Sequence, residues 1–64
     1  MTLNSALYIS LGYKTKKIWS TKSVNYNIFT MYYIMDIYWN VRQDEQYAVY
    51  ANTKMKELWS GTSV

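Results

Sequence analysis

Between Phe29 and Val41 every second residue is apolar: Phe29, Met31, Tyr33, Met35, Ile37, Trp39 and Val41. A period of two is the signature of a strand with one buried face. The intervening positions, Thr30, Tyr32, Ile34, Asp36, Tyr38 and Asn40, make up the second face, and a segment so rich in Tyr, Ile, Phe, Trp, Thr and Val favours pleated structure. The pattern therefore predicts a central strand. Its thirteen residues at about 3.3 Å each reach about 43 Å, longer than a domain of this size is wide. The strand is accordingly expected to bend, to bulge, or to begin after Phe29.

A different period follows. From Asp44 the chain reads DEQYAVYANTKMKELWSG, and steps of 100° bring Tyr47, Ala48, Ala51, Met55, Leu58 and Trp59 onto one arc. Gln46, Thr53, Lys56, Glu57 and Ser60 fall opposite. Asp44 is a favoured N-cap residue, Glu45 lies in the first turn, Lys54 and Lys56 lie toward the end, and Gly61 suits the position just beyond it. These signals predict a helix over about 45–60, with its apolar arc as core.

Upstream, STKSVNYN (20–27) reads as a connection, although Val24, Tyr26 and Ile28 alternate and extend the central strand in the opposite phase. YKTKKIWS (13–20) is assigned a strand antiparallel to the central one. ALYISL (6–11) alternates Leu7, Ile9 and Leu11 against Ala6, Tyr8 and Ser10, with Gly12 as a break, and reads as a further strand. The alternative for this last segment is a short helix with Leu3, Leu7 and Leu11 on one side. The expected fold is thus α+β: a small antiparallel three-stranded sheet packed against one C-terminal helix, β-β-β-α, or α-β-β-β-α if the N-terminal segment is helical. Residues 1–64 form one compact domain in this reading.

Composition sharpens that picture. A chain of 64 residues buries only roughly 60% of the surface its unfolded form exposes. With no Cys and no His, the disulfide and zinc staples of small domains are missing, so an aromatic core or association must supply stability. Eight Tyr, three Trp and one Phe suit both routes. The lack of Cys fits a reducing compartment, the first fourteen residues do not have the pattern of an export signal, and no apolar run is long enough to cross a membrane. A cytoplasmic location without membrane attachment is expected.

The missing His and Cys also remove the commonest general base, the thiolate nucleophile and most transition-metal ligands. Two isolated glycines make no phosphate-cradling loop. The carboxylates have bland explanations: Asp44 and Glu45 as helix-start residues, Glu57 on a solvated helix face, and Asp36 as a polar break on a strand. The sequence predicts neither an enzyme nor a bound cofactor or metal.

What it predicts instead is an interaction surface. One helix covers one face of a sheet, so Tyr32, Ile34 and Tyr38 on the other face, beside Trp19 and Ile18, are expected to stay uncovered and to form a protein-binding site. Val49 and Tyr50 offer a second contact. The function read from this is a non-catalytic protein-binding module of inhibitor or adaptor type, self-associating as a homo-oligomer, most simply a dimer. Residues 1–35 carry four lysines and no acid, which would steer the module toward an acidic partner. The alternative is a nucleic-acid-binding domain in which Lys14, Lys16, Lys17 and Lys22 contact phosphates while Tyr13 and Trp19 stack on bases.

Overall fold

The computed structural model describes residues 2–22 and 24–61, and among these there is no strand. Three helices, α1 (Leu3–Ser20), α2 (Tyr26–Asn40) and α3 (Glu45–Ser60), form a small bundle. The expected α+β fold is therefore wrong, in both of its strand orders. The last helix lies where the sequence pattern puts it, and of the two readings of the N-terminal segment the helical one holds, although that helix runs past Gly12 to Ser20.

The length of the central segment explains the correction. Coiled as a helix, the fifteen residues of α2 span about 22 Å; extended, the predicted strand would overrun a molecule whose longest dimension is 33 Å. Ile28, Met31, Ile34, Met35 and Tyr38, spaced three and four apart, all turn inward. Because nearly every residue here is apolar, a period of two and a period of 3.6 are satisfied together. The pattern could not distinguish them.

All three helices start with the same device. The side chains of Thr2, Asn25 and Asp44 accept hydrogen bonds from the backbone N–H three residues on, at Ser5 (3.2 Å), Ile28 (3.0 Å) and Tyr47 (2.8 Å). Each satisfies one of the amides that a helix start leaves without an internal partner. At the other ends, Thr21, Val41 and Gly61 close the last turns through their own N–H groups. Gly12 does not break α1, and the segments 6–11 and 13–20 that were assigned strands are its two halves.

The core comprises Leu11 and Ile18 from α1, the five inward residues of α2, and Ala48, Ala51 and Met55 from α3. Ala48 and Ala51 are fully buried and small, so the α3 backbone comes close to both neighbours. α3 packs along α1 and α2 alike, whereas α1 and α2 meet over a shorter stretch. Each seam has its own chemistry. Between α1 and α2, the indole N–H of Trp39 donates to Thr15 Oγ1 (3.1 Å), and Tyr8 stands edge-on to Trp39 at 5.0 Å. Between α2 and α3, Asn27 Nδ2 donates to the backbone carbonyl of Leu58 (3.1 Å). Between α1 and α3, Ser10, Lys14 and Asn52 form a polar cluster.

Candidate interaction surface on the outer face of α2

A helix with one buried stripe is expected to be polar elsewhere. α2 is not. Its outward side carries Tyr26, Phe29 and Tyr33, spaced three and four apart, at 85, 59 and 68% exposure. Asp36 is the single charge of the helix, and it sits at the edge of this stripe, where its carboxylate accepts a 2.8 Å hydrogen bond from Asn40 Nδ2. The stripe is an apolar ridge.

Two grooves flank it. Toward α3, a groove of about 470 Å³ is lined by Tyr33, Ile37, Tyr47 and Tyr50 and closed at one end by Arg42. The Tyr47 and Tyr50 rings lie 5.5 Å apart, and the Arg42 guanidinium lies 5.2 Å from the centroid of the Tyr47 ring. Toward α1, a groove of about 560 Å³ is lined by Trp19, Tyr32, Met35 and Trp39, with Asp36 on its rim. Aromatic side chains from all three helices thus line the two grooves, interspersed with Thr15, Asp36, Asn40 and Gln46, and aromatic residues are those in which interface hot spots are enriched.

The sequence-predicted contact set splits across this arrangement. Trp19, 71% exposed, and the half-buried Tyr32 come together in the groove between α1 and α2. Ile34 and Tyr38 do not join them, because they are 3 and 2% exposed and belong to the core. The reason is geometric: six residues apart, Tyr32 and Tyr38 share a face of a strand but point 120° apart on a helix. Val49 and Tyr50 are about half exposed, and Tyr50 lines the groove toward α3. Tyr26, Phe29 and Tyr33, which the strand reading missed or placed inside, were detectable only at helical spacing.

The basic segment is divided as well. Lys14 turns toward α3, with its ammonium donating to Ser10 Oγ (2.9 Å) and Asn52 Oδ1 (2.6 Å). Lys17 lies over the ring of Trp59 at 4.6 Å, whereas Lys16 and Lys22 are exposed, the latter beyond the end of α1. The four lysines therefore do not line one face, as phosphate contacts along a duplex would need.

Each acid has a local engagement or position. Asp44 caps α3 and pairs with Arg42 at 3.2 Å; the Tyr47 N–H first, and then Arg42, hold its carboxyl below the usual carboxylate range. Glu57 faces Lys54 at 3.9 Å, and Glu45 lies in the first turn of α3. Burial, helped by neighbouring hydroxyls, pushes the phenols of Tyr38 and Tyr47 above the ordinary tyrosine value. Among the described residues no three His, Cys, Asp or Glu side chains cluster as metal ligands, and no helix is long and apolar enough to cross a membrane. No family model matches the sequence, and no curated protein or solved structure matches it either.

Proposed function

We propose that this chain is a non-catalytic protein-binding module whose partner is a second copy of itself, docked along the outer face of α2. The observation that carries this reading is the exposure of Tyr26, Phe29 and Tyr33, three large aromatic side chains at helical spacing on the outward side of α2. Three features favour a second copy as the occupant. The ridge carries a single charge, Asp36, and that carboxylate is already bonded to Asn40. An antiparallel, two-fold pairing centred on Tyr33 sets Phe29 against Ile37 of the other copy and leaves Asp36 opposite Thr30, so no like charges meet. A small domain with no disulfide is also among those that gain most from association.

Light scattering and sedimentation from micromolar to millimolar concentration test the proposal. The parent chain should move from monomer to dimer, and Tyr26→Ser/Phe29→Ser/Tyr33→Ser should remain monomeric with unchanged helical circular dichroism. A parent that stays monomeric throughout, or a triple variant that associates as well as the parent, would overturn it. Trp19→Ser locates the edge of the interface: weaker pairing extends it into the groove beside α1, and unchanged pairing confines it to the ridge.

A further inference from the structure

The seam between α1 and α3 carries a cavity of about 420 Å³, within the range of small-molecule sites. Its accessible apolar lining is the Trp59 ring and the methylene stems of the lysines, backed by Ile18, Met31 and Met55, each almost fully buried. Its rim is cationic: Lys14, Lys17 and Lys56 all border it, with Trp59 as a flat wall and no Asp or Glu in the lining.

Lysines from two helices do not gather without cost, because like charges at short range repel. Surface lysines can turn away from one another, but two of these are held. The ammonium of Lys14 is fixed by Ser10 and Asn52, and that of Lys17 lies on the Trp59 ring. Burial first, and then the charge of Lys56, make Lys14 easier to deprotonate than an ordinary lysine, as expected where no counter-charge is at hand. The nearest acid in sequence, Glu57, is turned to Lys54 instead. Three cations beside an apolar surface are complementary to a molecule that is negative at one end and apolar at the other.

We infer that the α1–α3 seam binds a small organic anion with an apolar body, its carboxylate or phosphate held by Lys14, Lys17 and Lys56 and its alkyl or aryl part lying against the Trp59 ring, over the buried Ile18, Met31 and Met55. The inference is independent of the self-association proposed for α2, since none of these residues lies on the outer ridge. It also gives the lysines of α1 a shared role with α3 that no linear reading of the basic segment contains.

Nuclear magnetic resonance on the full chain tests it, with decanoate below its micellar concentration and phenyl phosphate as probes. Either probe should shift the methyl signals of Ile18, Met31 and Met55 and the indole signal of Trp59 saturably. Decanol and inorganic phosphate, each lacking one half of the ligand, should bind roughly tenfold more weakly or worse. Lys17→Glu and Lys56→Glu should each weaken the better probe by roughly tenfold, Lys56→Gln by less, and Lys16→Glu, on the outer side of α1, by under about twofold. The assignment is overturned if neither probe gives a saturable shift at these signals, if decanol or inorganic phosphate binds as well as the probes, or if Lys16→Glu is as damaging as Lys56→Glu. Retained helical circular dichroism in the glutamine variant separates loss of the site from loss of the fold.

Discussion

α2 and α3 are nearly equal in length and share a core, yet they solve the problem of being a helix in opposite ways. α3 buries Ala48, Ala51 and Met55 and gives the rest of its surface to polar or half-covered side chains. α2 buries five residues, two of them Met, and still has Tyr26, Phe29 and Tyr33 left over in solvent. The first is a structural wall. The second is a wall with an additional surface that the monomer does not use, and that excess is the argument for function.

The largest effects should come from the shared side of the comparison. Met31→Ala and Met55→Ala each remove a side chain that is essentially fully buried, at a cost of about 2–5 kcal/mol, a large share of what so small a domain has. Urea titrations should show both midpoints falling sharply. By contrast, Tyr33→Ser on the ridge should change the stability of the monomer by no more than about 0.5 kcal/mol. If urea unfolding puts Tyr33→Ser near the Met values, the ridge is structural, and the contrast between the two helices disappears.

Next come the caps, where acid should tell the helices apart. Asn25→Ala removes the neutral cap of α2, which should cost about 1 kcal/mol at neutral and acid pH alike. Asp44 is different: its carboxyl titrates below its ordinary value of 3.8 in the folded chain, so its contribution is present above that value and is lost as pH falls through the depressed one. Asp44→Ala should therefore be less stable than the parent at pH 7 and should converge with it in strong acid. An undiminished gap there would mean that Asp44 acts other than through its charge.

In alkali the sign reverses. Tyr38 is raised above 10.0 in the folded chain by burial, so the stability it confers is present below the ordinary tyrosine value and is lost as pH rises through the raised one. Tyr38→Phe keeps the ring in the core and removes the proton, and its stability should fall less steeply above pH 10 than that of the parent. Equal slopes would show that other tyrosines dominate alkaline unfolding. The smallest effect is expected on the solvated side of α3, where Lys54 and Glu57 are 44 and 65% exposed; Lys54→Ala should change the unfolding free energy by under about 0.5 kcal/mol.

Legibility followed the same division. α3 could be read from its sequence because its faces differ, so that spacing, caps and charge all named one period. α2 could not be, because a segment in which most positions are apolar fits a period of two as well as one of 3.6, and only its length argues against a strand. The caps were a better guide than the pattern: Thr2 and Asn25 stand at helix starts just as Asp44 does, but without an amphipathic run behind them they drew no notice. The site followed the period. Ile34 and Tyr38 were chosen as exposed because a pleat would expose them, while Trp19 and Tyr32 remain at the surface because they flank the seam where α1 and α2 diverge. The convergence of Lys56 and Trp59 on Lys14 and Lys17 has no signature in one dimension.

The position of α3 as the common support of the other two helices has a consequence for biosynthesis. As the chain leaves the ribosome, α1 and α2 emerge before α3 and can make only the shortest of the three helix seams, the one with the Trp39–Thr15 hydrogen bond and the Tyr8–Trp39 ring contact. The inward side chains of α2, Ile28, Met31, Ile34, Met35 and Tyr38, stay without their α3 partners for as long as α3 is still inside the exit tunnel.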